Sequence, residues 1–478
     1  MYTNPGAAVT TAGSTTAQRS GLVLVAAAAA QFLVAFDMSV INVALPDIQR
    51  SLHFTDADLS WVVNAYALAF GGLLLLGGRL CDVAGTRRVL VTGLIVFGVV
   101  SVAGTFAPTA GLLVTARALQ GVGAAMIAPA GLAALSQAFP DGAARAKAFG
   151  IGAMCSALGG AIGVVLSGVL TQGLNWRWIM FAGAPVALAA AVAAVRGLPA
   201  HQAGGGRLDL PGALFATGGL VVLVCAVIAT DTRGWGSPAV LGGGALTVVL
   251  LAAFVVVEKR TPDPLVRFST LLRPRIGLAN AIMCVVCAGQ FGGFYFVSLY
   301  MQRGLGYSPS TTGLAFLPFC AGLVVGIVGS SKLLPRFGAR PLLVVGTALA
   351  ALGMAVFSTM SVGGGFVWTV LVPSLVASVG IGLSFMPLSN VATADAPPGD
   401  VGMASGLLSA SRQIGGSVGL AALVSIAATV TANSHAPADL ALVSGYSRAL
   451  MVCALLLLAG TVLSLFFPST VQPTPRPA

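Results

Sequence analysis

GGRLCDVAGTRR, residues Gly77 to Arg88, is a basic, glycine-rich stretch between two apolar runs, each long enough to cross a bilayer. A worn copy lies further along the chain. A shift of 253 residues sets Gly85 on Gly338, Arg79 on Lys332, Arg87 on Arg340 and Gly93 on Gly346. The same basic turn after the second apolar run of each half means that two similar helix bundles are joined in one chain.

Composition agrees with that plan and excludes others. Of the 478 residues, 57% are hydrophobic and 8% charged, and the mean hydropathy is +0.96, which no soluble domain of this size shows. The net charge of +11 is scattered between apolar spans instead of gathered in one patch, so it reads as membrane topology and no nucleic-acid partner is expected. Six of the seven cysteines fall inside spans and the seventh, Cys81, in the basic loop, so neither disulfides nor a metal site is indicated. Residues 1–20 are polar and lack the short apolar core of a removable signal peptide.

Apolar runs of about twenty residues place fourteen spans at 21–45, 59–78, 89–106, 111–136, 146–170, 176–196, 210–230, 238–257, 276–301, 311–331, 341–360, 366–392, 403–430 and 446–467. With the amino terminus inside, the outer segments hold only Arg50, Arg177, Arg233, Arg303 and Arg448 of the 24 basic residues. Both termini are therefore expected in the cytoplasm. The repeat shift leaves room for eight spans between equivalent points, two more than a twelve-helix plan allows. The surplus pair, 210–230 and 238–257, carries no ionisable residue and is expected to be peripheral. The fold class is then all-α and polytopic, with a tail over 1–20, a six-helix bundle over 21–196, a linker with two extra spans over 197–275, a second six-helix bundle over 276–467 and a tail over 468–478.

Four stretches carry a family resemblance. FDMSVINVALPDI (Phe36 to Ile48), GGRLCDVAGTRR, RALQGVGAA (Arg117 to Ala125) and PLSNVATADAPPGDVGMASGLLSASRQIGGSVG (Pro387 to Gly419) together resemble the major facilitator superfamily, in particular its fourteen-helix drug:proton antiporters of the EmrB/QacA-like group. The second stretch keeps Gly78, Asp82, Gly85, Arg87 and Arg88, with Val83 where a basic residue is usual. Ser39 stands in the first where threonine is usual. The helix-five antiporter motif is eroded to GGAIGV: Gly160 replaces its proline and Val164 its last glycine, while Gly159 and Gly163, four apart, still let a neighbouring helix approach closely. The resemblance implies the major facilitator fold, no cofactor other than protons as coupling ion, and a small amphipathic organic substrate.

Of the thirteen acidic residues only Asp37 lies well inside a span, where an unpaired acid costs about 3 kcal/mol on insertion scales. It is either a structural polar contact or a proton-binding carboxylate facing a central cavity. A rise of about 1.5 Å per residue sets Asp37 and Arg117 at similar depths, so the two can meet. Arg117 then competes with a proton for Asp37 as the helices rock, or else forms a static salt bridge. Asp82 at the membrane edge is expected to cap a neighbouring helix while Arg87 and Arg88 hold carbonyls or lipid phosphates, a conformational latch; plain topological charge is the other reading. Asp395 or Asp400 is expected to reach Arg412, in a structural or a transport role. Asn42, Asn64, Tyr66, Gln120, Met126, Gln290, Phe294, Tyr295 and Asn390 are candidate cavity liners.

The sequence thus points to a monomeric, proton-coupled exporter of amphipathic drugs or antibiotics, in contact with lipid and multi-pass in a cell membrane. Arginine far outnumbers lysine, which suggests a GC-rich bacterial genome. An exporter of an endogenous metabolite or lipid is the alternative, left open by the eroded helix-five motif, and a non-transporting receptor is a further one. An enzyme is not expected, because no nucleophile with a base, metal cluster or phosphate loop is present and His53, His201 and His435 all fall in loops.

Overall fold

The computed structural model describes residues 6–467, apart from 57, 140–141, 200–207, 263, 362 and 398–399. The carboxyl-terminal tail over 468–478 and His201 lie outside the described residues.

Among the described residues, fourteen helices are long and apolar enough to cross a membrane. They are α1 (Ser20–Leu52), α2 (Asp58–Ala84), α3 (Thr86–Thr105), α4 (Ala110–Ala138), α5 (Lys147–Gly173), α6 (Arg177–Gly197), α7 (Leu210–Thr230), α8 (Pro238–Arg260), α9 (Pro274–Gly304), α10 (Pro309–Phe337), α11 (Ala339–Phe357), α12 (Val367–Ala394), α13 (Val401–Ala432) and α14 (Ala438–Leu465). The structure is all-α, with no strand among the described residues. Two sequence boundaries are corrected. The polar residues from Gly6 onward continue α1 as one helix to Leu52, since nothing between Gly6 and Pro46 breaks it. Residues Arg79–Ala84, read as loop, are the last turns of α2.

The true turn is a single residue. Gly85 has φ 86° and closes α2 by donating its N–H to the Cys81 carbonyl; its repeat mate Gly338 has φ 80° and donates likewise to Leu334. A side chain is strained at positive φ, so glycine alone makes this sharp reversal at low cost. The end of the molecule that carries these turns is called the basic end below, and the end that carries Asp56 the opposite end.

Glycines set how closely the helices pack. A Cβ on Gly77 of α2 would lie 1.9 Å from the Ala125 carbonyl of α4, and one on Gly121 of α4 would lie 2.4 Å from the Tyr66 carbonyl of α2. Backbones in such contact exchange dispersion and weak C–H···O contacts where lipid supplies no hydrophobic drive. The helix-five glycines do the same against α1, Gly159 facing the Phe32 carbonyl and Gly163 that of Phe36. Gly160, in place of the family's proline, is turned elsewhere, with Ser39 its nearest neighbour.

The surplus pair is only half peripheral. α7 wedges between the halves, where Leu220, Val224 and Ile228 form a cluster with Leu68 of α2 and Ala421 of α13. Thr230 and Ser425 hydroxyls meet at 2.6 Å. α8 packs on α7 and is otherwise largely exposed. It runs past its sequence boundary to Arg260, which brings Glu258 into the helix; the buried carboxylate accepts from the Val266 N–H and folds the linker back.

Candidate functional site

Asp37 and Arg117 meet in the interior of the amino-terminal half. Arg117 Nη1 donates to Asp37 Oδ2 at 2.6 Å, and the residues are 5% and 1% exposed. The guanidinium is over-determined: Nε donates to the Val62 carbonyl at 2.9 Å, Nη1 also donates to Gln120 Oε1 at 2.9 Å, and the Tyr66 ring centroid lies 4.6 Å from its Cζ. Gln120 Nε2 in turn donates to Ser101 Oγ at 2.7 Å, which ties α4 to α3. A buried ion pair in a low-dielectric interior needs supporting hydrogen bonds, which the Val62 carbonyl and Gln120 supply here. Tyr66 Oη and both polar atoms of Asn64 are buried with no hydrogen-bond partner.

A separate cavity of about 440 Å³ lies between the halves. Its wall on α1 is the stripe Gln31, Ala35, Met38, Ser39 and Asn42. Asp37 is displaced from that stripe by roughly 120–140° at about 100° per residue, so it does not face the cavity as the sequence reading expected. It faces α2 and α4 instead. Of the nine expected liners only Asn42, Gln290 and Phe294 reach the cavity. Tyr66, Gln120 and Asn64 are interior to the first bundle, and Met126 packs against Gly93 of α3. Tyr295 faces a second cavity beside Asp56 and Tyr446, and Asn390 is exposed near the basic end of α12.

Residues not expected complete the cavity: Gln31, Met38, Ser39, Ser156, Phe385 and Arg412. The 31-35-38-42 spacing was legible as one helix face, and Met38 and Ser39 lie in a quoted motif. Gly160 also lines it, which explains why that glycine is not in a helix contact. Arg412 corrects an expectation. Asp400 is bound to Arg267 at 2.6 Å and to Thr270 at 2.8 Å, and Asp395 to Arg275 at 3.2 Å. Both acids sit beyond the membrane end of α12 and α13, where linker arginines reach them first. Arg412 lies instead over the Phe385 ring, 5.2 Å from its centroid.

The two halves close on each other at the opposite end. Ser298 Oγ donates to the Asn42 carbonyl at 2.9 Å and Gln302 Nε2 to that of Val43 at 2.8 Å. Arg303 Nη1 donates to Asp56 Oδ1 at 2.9 Å and to Tyr446 Oη at 3.1 Å; Gln49 also donates to that carboxylate. Burial by itself would raise the Asp56 pKa, but the bonds from Arg303 and Gln49 and the Arg303 charge outweigh it and hold the carboxyl below its ordinary range. Gln302 and Arg303 lie on a widened π-type turn, Tyr300–Gly304, which re-aims side chains at a helix end. Ser310 donates to Gln172, and a Cβ on Gly168 would lie 2.4 Å from the Pro309 carbonyl.

Toward the basic end the cavity wall continues to Leu135 and Phe149, within one turn of the ends of α4 and α5. The latch residues are here, and not as expected. Asp82 is 69% exposed and lies 3.7 Å from Arg79 on the same helix; the amino terminus of α3 has no side-chain cap. The Asp82 carboxylate is turned to solvent and to its own helix instead of to that terminus. Gln137 Nε2 donates to Thr86 Oγ1 at 2.8 Å beside Gly85, Arg87 and Arg196 line a shallow pocket, and Arg88 is exposed.

The profile of the Major Facilitator Superfamily matches residues 27–420. The cephamycin export protein CmcT of Amycolatopsis lactamdurans is 41% identical over 95% of this chain and 93% of its own. The puromycin resistance protein pur8 of Streptomyces alboniger is 42% identical over 86% of this chain and 82% of its own. Among solved structures, a bacterial homologue of the lysosomal transporter Spinster, in an inward-facing and unoccupied conformation, aligns with a TM-score of 0.67 at 16% identity, over 93% of this chain and 96% of that one. At that identity the likeness speaks for the fold.

Proposed function

This chain belongs to the Major Facilitator Superfamily, a multi-pass membrane transporter rather than an enzyme, and we propose that it exports amphipathic antibiotic-like compounds in exchange for protons by alternating access. The basic end, including the Arg79–Arg88 segment and the linker arginines, is cytoplasmic by the positive-inside rule, which sets both termini inside. The structure is then closed outside, with a cavity wall that reaches the cytoplasmic end, the state in which an exporter loads. The names of the relatives, one a cephamycin exporter and one a puromycin resistance protein, support export of such compounds.

The observation that carries proton coupling is the buried Asp37–Arg117 pair, one helix face away from the cavity wall. The cavity can widen or close without the substrate touching the pair. α1 supplies both the wall at Met38 and Asn42 and the acid at Asp37, so rotation of α1 on substrate binding changes the distance to Arg117 and the competition between guanidinium and proton. Exchange of one charge across roughly 150 mV supplies about 3.5 kcal/mol, a gradient of a few hundredfold. Arg88, exposed, and Arg87, half-buried, stand at the cytoplasmic edge, placed to meet lipid phosphates, and the chain works as a monomer because each half completes the cavity of the other.

The test uses energised everted vesicles holding a pre-formed pH gradient, challenged with acidic, neutral and cationic amphipathic compounds, with Asp37→Asn beside the wild type. Dissipation by at least one compound with the wild type and none with the variant is expected. Equal dissipation by both, or none by any compound, refutes proton-coupled export.

A further inference from the structure

We propose that the central cavity selects amphipathic organic anions and that the Arg412 guanidinium receives the acidic group. This rests on the efflux reading and names its substrate class. Arg412 lies about eleven residues into α13, roughly 17 Å from the helix start at 1.5 Å per residue, so its charge stands near the middle of the span. A cation at that depth faces a cavity or a partner. Arg412 faces the cavity, and among the described residues no carboxylate lies within salt-bridge distance of it.

The charges around it are settled elsewhere. Asp37 is turned away from the wall and neutralised by Arg117. Asp400 and Asp395 are held by Arg267 and Arg275. Among the described residues no acid lines the cavity, so its wall carries one net positive charge between apolar surfaces, and low-dielectric walls concentrate that field in the space between them. A cationic compound entering from the cytoplasm meets repulsion and no compensating acid. An anion meets a guanidinium set over the Phe385 ring, available for a charge-assisted bond.

The remainder of the wall fits an apolar body. Phe291 and Phe294 of α9 and Leu323, Val324 and Ile327 of α10 present an aromatic and aliphatic face. Gln290 Oε1 is buried there without a partner, ready to accept from a polar group on the substrate. A cavity of about 440 Å³ admits a drug-sized molecule. The arrangement is that of an amphipathic acid with one charged end and a hydrophobic body.

The experiment measures fluorescence binding of dansyl-phenylalanine and of its methyl ester to the purified chain in maltoside detergent. The wild type is expected to bind the acid about tenfold tighter than the ester, equivalent to about 1.4 kcal/mol. Arg412→Gln should bring the acid-to-ester ratio near one, and Arg412→Lys should restore part of it. A wild type that binds neither probe, or does not distinguish them, overturns the proposal, as does a ratio unchanged in Arg412→Gln. A short-chain phosphatidylglycerol is added as competitor. Displacement of the bound probe by a soluble carboxylate at lower concentration than by the lipid is expected, and the reverse order overturns the assignment to a soluble acid. Vesicle transport run in parallel separates the two readings. Extrusion of cations but not acids leaves efflux standing and sinks anion selection, whereas extrusion of nothing sinks efflux and leaves the binding ratio to judge Arg412.

Discussion

The Asp37–Arg117 pair makes a quantitative prediction that separates holding the fold from coupling to protons. In Arg117→Gln a buried carboxylate loses its counter-charge, the Val62 carbonyl loses its donor and Gln120 loses one of two bonds. Removing one partner of a buried pair costs about 3–5 kcal/mol. Asp37→Asn leaves the buried guanidinium without its counter-charge, a cost in the same range, although the guanidinium keeps the Val62 carbonyl, Gln120 and the Tyr66 ring. The double variant carries two amides that can bond each other, with no orphaned charge. Its cost should fall below that of either single variant, a coupling energy of at least about 3 kcal/mol. Equilibrium unfolding in mixed micelles with increasing SDS measures all four corners of this cycle. Costs that add to within about 0.5 kcal/mol would show that the residues are not in contact and refute the geometry. A well-folded double variant that still drives proton-coupled export would refute the coupling role while leaving the contact intact.

Four further outcomes follow from other parts of the molecule. The Asp56 carboxyl is held below its ordinary value of 3.8; a depressed acid contributes stability present above that value and lost as pH falls through the lower folded value. The outer Arg303–Asp56 contact should therefore be indifferent to pH between about 5 and 8, and Asp56→Asn, at a site with 59% exposure, should shift outer opening by no more than about 1 kcal/mol, read by labelling of a cysteine placed at Gln302. Cysteines at Gln172 and Ser310, introduced after the native cysteines are replaced, should cross-link under mild oxidant and arrest export, with activity returning on reduction; export that survives complete cross-linking would contradict alternating access through outer opening. Gly77→Ala places a Cβ 1.9 Å from the Ala125 carbonyl and should cost about 1–3 kcal/mol beyond Gly111→Ala, which meets nothing, measured as a lower apparent melting temperature. Gly85→Ala and Gly338→Ala should each cost about 1–3 kcal/mol for positive-φ strain, and equal melting of either variant and wild type would contradict the turn geometry.

The sequence by itself determined the fold class, the fourteen spans, the repeat and the depth at which a lone acid and a lone arginine lie. Each of these is a property of composition or of spacing along one chain. Apolar run length counts spans because a bilayer has one thickness. Gly85 and Gly338 mark equivalent turns because only glycine takes their backbone at low cost. A lone acid in an apolar helix must find a partner, and Arg117 was the cation at matching depth.

Only the tertiary structure decided which face each residue turns to which neighbour. Depth along α1 says nothing of azimuth, so the meeting of Asp37 with Arg117 could be foreseen but not that it turns Asp37 away from the cavity. Asn64, Tyr66 and Gln120 are polar in apolar helices, as cavity liners are, yet they sit around the ion pair because an interior network also gathers polar groups. Arg412 was noted for its depth and assigned the wrong company. Its sequence neighbours Asp395 and Asp400 are taken by Arg275 and Arg267 from the linker, more than a hundred residues away, and no local pattern announces that. What remains exposed after such distant pairings is settled only when all helices are in place, and here it is the charge that faces the cavity.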